Sequence, residues 1–107
     1  MPWNYLRTDK GAVIKFAKVN ENGDVEIEEI KKLITNKTKI IAITHISNVT
    51  GAILPITKIV DLAKEKNIPV LIDGTQGAPH SEIDMQKIGC DFYAISCHKM
   101  YGPNGLG

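Results

Sequence analysis

The sequence predicts an α/β fold built on a mostly parallel sheet with flanking helices. Three observations predict it. Apolar, β-prone runs recur at residues 39–44, 69–72 and 91–95. A helical stripe of Ile56, Ile59, Val60 and Ala63 lies between the first two runs, which makes a strand, a helix and a strand in the order of a right-handed βαβ unit. Each run also gives way to polar residues at its C-terminal end, the edge where open α/β sheets bind ligands.

The elements follow in order. Residues 2–7 read as the end of a helix. Residues 11–19 alternate apolar and polar over part of their length and predict a strand, which the Asn22-Gly23 turn dipeptide closes. Ile27, Ile30, Leu33 and Ile34 recur at helical spacing and predict an amphipathic helix over about 27–35. Glu26, Glu28 and Glu29 at its start and Lys31 and Lys32 beyond suit the helix macrodipole and form a solvated face. The run 39–44 is nearly all apolar, as in a parallel strand covered on both faces. Pro55 suits a first helical position, so a helix over about 55–66 follows, with Asn67 as its stop. Residues 69–72 predict the next buried strand, 83–88 a short helical turn ended by Gly89, and 91–95 a last buried strand.

At 107 residues the chain is one domain at most, with a modest core. Acidic and basic residues are interleaved at a net charge of +1, so there is no basic face for nucleic acid or an anionic membrane. No apolar run approaches the roughly 20 residues that span a bilayer, and the first residues lack the basic-then-apolar pattern of a signal peptide. Cys90 and Cys97 lie in or beside one predicted strand and do not readily bridge each other; reduced thiols in a cytoplasm are the expectation.

Three stretches carry candidate chemistry. In Ser96-Cys97-His98-Lys99 an amine sits at a strand-to-loop transition beside a hydroxyl and an imidazole. A buried lysine has a lowered pKa, and its neutral form attacks carbonyl carbon. Val70-Leu71-Ile72-Asp73-Gly74-Thr75-Gln76-Gly77 ends a strand in a carboxylate, a glycine turn and an amide. Thr44-His45-Ile46-Ser47-Asn48-Val49-Thr50-Gly51 follows the first apolar run. Taken singly, Lys99 reads as a surface lysine, Asp73 as a turn cap before Gly74, Gln76 as a surface residue, and His98 as a backbone-satisfied core histidine. Their joint order argues otherwise.

That order resembles the class-V aminotransferase family, which depends on pyridoxal 5'-phosphate (PLP). "THISNVTGAILPI" followed by "VLIDGTQGAPHSEIDMQKIGCDFYAISCHKMYGPNGLG" is similar to the cysteine desulfurase and selenocysteine lyase branch, in the form that serves the SUF iron–sulfur assembly system. The IscS/NifS-type form more often reads "NNEIG" where this chain has "SNVTG". The likeness runs from about residue 2 to residue 107. It implies part of a fold type I, three-layer PLP-binding large domain over residues 1–107. The domain's N-terminal part, the loop bearing the persulfide cysteine and the small domain are then expected outside the chain.

The resemblance also implies roles. Lys99 is the Schiff-base lysine and the base and acid at the substrate Cα. Asp73 faces the pyridine nitrogen and Gln76 the phenolic oxygen. Ser96 and His98 belong to the phosphate cup, and Asn48 contacts the substrate carboxylate. His45, in the same loop as Asn48, is not counted among the site residues. The implied reaction turns L-cysteine into L-alanine and passes sulfur to a protein cysteine, with a SUF-type acceptor protein as partner and a homodimer at full length. Other class-V activities share these motifs: a selenocysteine lyase, an epimerase or an aminotransferase. From a different class, a non-catalytic remnant stays open. Taken alone, the chain is expected to be inactive or nearly so, since the family's substrate-clamping Arg and its Gly-Thr phosphate pair fall outside it. Cys97 stands where the family usually has Gly; strain is expected there if the position needs a positive φ.

Overall fold

The computed structural model describes residues 2–107. In chain order the elements are α1 (Pro2–Lys10), α2 (Ile27–Leu33), β1 (Ile41–Thr44), α3 (Ile56–Glu65), β2 (Val70–Asp73), α4 (Gly77–His80), α5 (Met85–Ile88), β3 (Phe92–Ala94) and a 3₁₀ turn at Cys97–Lys99. The strands form one parallel sheet in the order β1-β2-β3. This is an open α/β arrangement with flanking helices, as the alternation of apolar runs and helical stripes predicts.

The register explains both faces. Ile41 pairs with Val70, and Ile43 with Ile72, which in turn pairs with Tyr93. Partners across a parallel ladder point to the same face, so these five side chains share one side. Helix α3 packs against β2 and α5. Its predicted stripe is the stripe it buries: Ile56, Ile59, Val60 and Ala63 are all in the core, with Leu62 beside them. Ile59, Ala63 and Ile72 are fully closed off from solvent.

The other face is open. Ala42, Phe92, Asp73 and Ala94 are exposed, and Phe92 keeps 55% of its surface. The run 39–44, expected to be covered on both faces, and 91–95, expected to be a buried strand, are therefore covered on one face. The apolar runs report β propensity, while the helices that pack on the sheet cover only the side of Ile41, Val70 and Ile72.

A second expectation also fails. Residues 11–19 form no strand; the chain there is irregular. The alternation is present, but the segment finds no neighbouring strand, and Val13, Phe16 and Val19 stay 84%, 76% and 59% exposed. A strand without a ladder leaves its amides to water. The turn after it forms as predicted, with the Gly23 N–H donating to Asn20 O at 3.0 Å.

Helix ends follow local chemistry. Asp84 caps α5, its Oδ1 accepting from the Gln86 and Lys87 amides at 3.0 and 3.1 Å. Gly89 closes the same helix at φ 66°, in the left-handed region. Asn67 stops α3 at φ 53°. The short α4 had no sequence signal, because Pro79 lies inside it.

Candidate functional site

The register brings the C-terminal strand ends side by side: Thr44 pairs with Asp73, and Asp73 with Ala94. The three polar stretches leave the sheet from this one edge. They are tied by backbone bonds, His45 N–H to Asp73 O at 2.9 Å and Gly74 N–H to Ala94 O at 2.8 Å. The central strand thus holds both neighbours just where its carboxylate emerges.

Asp73 is exposed on the open face, and its Oδ1 accepts from the Thr75 N–H at 3.0 Å. This bond closes an Asx turn and fixes the carboxylate against its own loop. Gln76 and Asn48, from different strand ends, meet directly: Gln76 Nε2 donates to Asn48 Oδ1. Asn48 rides on a loop held by Ser47, whose Oγ accepts from the Val49 and Thr50 amides at 3.3 and 3.2 Å. Beyond β3, Ser96 Oγ and His98 Nδ1 form a pair at 2.7 Å. Lys99 is half-buried in the 3₁₀ turn that follows, where its N–H donates to Ser96 O at 3.1 Å.

The structure therefore groups the predicted residues two by two, Asn48 with Gln76 and Ser96 with His98. Among the described residues no side-chain hydrogen bond links Asp73 or Gln76 to Ser96, His98 or Lys99. Two surface hollows, of about 690 and 380 Å³, are lined by none of the six. The predicted residues lie in the loops that leave one sheet edge, a rim outside both hollows. Cys97 sits in the 3₁₀ turn and is not among the residues with positive φ. The strain expected at Cys97 is at Tyr101 instead, whose φ is 61°.

As a donor set, the rim fits PLP in kind. Asp73 offers a carboxylate to a basic ring nitrogen. Gln76 offers an amide to a phenolic oxygen, Ser96 and His98 offer hydroxyl and imidazole to a phosphate, and Lys99 offers an amine to an aldehyde.

Sequence reasoning left His45 out of the site and missed its pairing with Tyr93 beneath the rim. His45 is buried, 9% exposed, and its Nδ1 lies 2.8 Å from the Tyr93 hydroxyl. The rings meet edge to face with centroids 6.1 Å apart. Burial pushes the His45 pKa below its ordinary value. Burial, then the nearby Cys90 and Asp73, push Tyr93 up. A period-two count from Ile41 and Ile43 places His45 on the covered face, which was the available signal. Gly74 and Gly77 pack on this pair. A Cβ at Gly74 would overlap the Tyr93 ring; one at Gly77 would overlap His45 Nδ1 and lie 2.7 Å from Tyr93 Oη.

The aminotransferase class-V family profile matches residues 1–107. Over all 107 residues the chain is 44% identical to a protein of Halalkalibacterium halodurans named "Probable cysteine desulfurase". It is 43% identical to a cysteine desulfurase of Yersinia pseudotuberculosis. It covers 26% of each, so the chain spans about a quarter of the length of these relatives. Among solved structures, the cysteine desulfurase CsdA (S-sulfonic acid) of Escherichia coli superposes with a TM-score of 0.91 at 35% identity, over 97% of this chain and 26% of that one. The apo cysteine desulfurase of Thermococcus onnurineus NA1 gives 0.88 at 30%, over 97% and 26%.

Proposed function

Because the chain belongs to the aminotransferase class-V family, we propose that it carries the cofactor-gripping edge of a PLP-dependent cysteine desulfurase of the SUF type. One observation carries the reading. The parallel register Thr44–Asp73–Ala94 sends all six predicted residues out from one sheet edge, in a chain 44% identical to a protein named "Probable cysteine desulfurase". The 107 residues then belong to the large, cofactor-binding domain. The SUF branch is supported by Ser47-Asn48-Val49-Thr50-Gly51, where the IscS/NifS-type form carries an Asn-Asn-Glu-Ile-Gly pattern.

When bound, PLP supplies an electron sink for a carbanion at the amino acid Cα. The chain's own residues do the rest. Asp73 holds the proton on the ring nitrogen, and the Gln76 amide donates to the phenolic oxygen. Ser96 and His98 hold the phosphate. Lys99 would hold the aldehyde carbon through its amine, the aldehyde oxygen leaving as water, and would carry the Cα proton of L-cysteine as base and then acid. Asn48 orients the substrate carboxylate. Overall, L-cysteine and an acceptor thiol give L-alanine and a protein persulfide, so the sulfur atom changes carrier without an external oxidant. A SUF-type acceptor protein receives the sulfur for iron–sulfur assembly, and the working enzyme is a homodimer. Two free thiols, Cys90 and Cys97, suit the reducing cytoplasm where we place the reaction; among the described residues no helix is long and apolar enough to cross a membrane.

The test is an absorbance scan of the chain with added PLP. A lysine-bound cofactor gives a visible band near about 420 nm, set by the cofactor's own chemistry. Borohydride should then fix the label on Lys99, and Lys99→Ala should lose both band and label. A chain with no visible band overturns the reading and favours a non-catalytic protein.

A further inference from the structure

We propose that His45 and Tyr93 are positioning residues: their hydrogen bond ties β1 to β3 beneath β2 and sets where the Asp73–Gln76 loop stands on the sheet edge. The inference deepens the cofactor reading, and it rests on that reading for what the loop grips.

Three observations converge on the pair. First, the pair lies on the covered face, His45 buried and Tyr93 half-buried, while Asp73 emerges on the open one. The phenol and imidazole bond to each other, and among the described residues no side-chain hydrogen bond joins them to Asp73, Gln76 or Asn48, so they act through the loop they support. Second, the bond joins the two outer strands. His45 follows β1 directly and Tyr93 is the middle residue of β3, so their 2.8 Å contact passes under the exit of the central strand. The same exit is clamped from both sides by the His45-to-Asp73 and Gly74-to-Ala94 backbone bonds. Third, the loop rests on the pair with no space between them. Gly74 lies against the Tyr93 ring, and Gly77 against both His45 Nδ1 and Tyr93 Oη; neither position has room for a Cβ. The two glycines bracket Thr75 and Gln76. The height of that bracket fixes the Asx turn at Asp73 and the reach of Gln76 to Asn48.

An ordinary buried polar pair would contribute to stability and leave the rim unchanged. The two cases separate in the cofactor-free, ¹⁵N-labelled chain. Tyr93→Phe keeps the ring and deletes the hydroxyl. It should move the side-chain amide resonances of Gln76 and Asn48 and the Thr75 backbone amide, while Tyr5→Phe, at a 70% exposed ring, leaves them in place. His45→Gln retains a partner for the phenol and should keep those resonances near the wild-type positions; His45→Ala should move them as Tyr93→Phe does. With PLP, Tyr93→Phe should weaken the apparent dissociation constant about five-fold, the effect of one neutral hydrogen bond. Borohydride labelling of Lys99 at saturating PLP should stay undiminished.

Unmoved Gln76, Asn48 and Thr75 resonances in a Tyr93→Phe chain overturn the proposal, whatever happens to stability. Moved resonances in a chain that never takes up PLP support the positioning role and bring down the cofactor reading alone. Should Tyr93→Phe fail to fold, the contrast between His45→Gln and His45→Ala reads the same resonances.

Discussion

Asp73 and His45 leave neighbouring strand ends on opposite faces, and they answer to different physics. Asp73 is exposed and its carboxylate accepts only from its own loop among the described residues, so Asp73→Asn should cost little folding stability and weaken PLP uptake clearly. Paired urea titrations and absorbance scans would compare the two; an equal loss of both would make Asp73 a turn cap and nothing more. His45 is buried, and burial lowers its pKa from 6.5. The unfolded chain therefore binds the proton more readily than the folded one. The sign follows: this stability is fully present above about pH 6.5 and is lost as pH falls through that value toward the lower folded pKa. Urea midpoints from pH 7.5 to 5 should fall in the wild type, with a shallower fall in His45→Gln. Cys97→Gly restores the family's usual residue. Cys97 has no positive φ to relieve, so the change should destabilise by roughly 0.5–1 kcal/mol through backbone entropy.

Among the elements, α3 is legible because its stripe is strong and its role is burial. Ile56, Ile59, Val60 and Ala63 recur at helical spacing, and a helix with that face must cover a sheet. Ile59→Ala or Ile72→Ala, each at a fully closed position, should cost roughly 2–5 kcal/mol in urea unfolding, from lost burial and the cavity left behind. At α5 the sequence marks the end, Gly89, while the structure adds the start, with Asp84 as the N-cap. Asp84→Ala should cost about 1 kcal/mol by leaving the Gln86 and Lys87 amides without their acceptor. Residues 11–19 show the opposite case. Their alternation is real, but a strand is a relation between two segments, and no second segment among the described residues pairs with this one.

For the whole molecule, the sheet divides the chain into a protected centre and a loose margin. None of the amides of residues 13–19 donates a hydrogen bond among the described residues, whereas β2 is paired on both sides. Native-state hydrogen exchange should find Val70–Asp73 the slowest segment and 13–19 near the rate of an unfolded chain. Protection across 13–19 comparable to β2 would show that the segment is paired in solution.

The sequence by itself determined the kind of fold and proposed the candidates for the site. Hydrophobic period and turn residues are local, and they named β1, α3, β2, α5 and β3; the resemblance to the class-V family added Asn48, Asp73, Gln76, Ser96, His98 and Lys99 as candidates. Only the tertiary structure decided which of these meet. It joined Asn48 to Gln76 and Ser96 to His98, left one sheet face open, and brought His45 to Tyr93 across 48 residues. Those contacts depend on strand order and register, which arise when separate segments bury one face together, and no local pattern contains them.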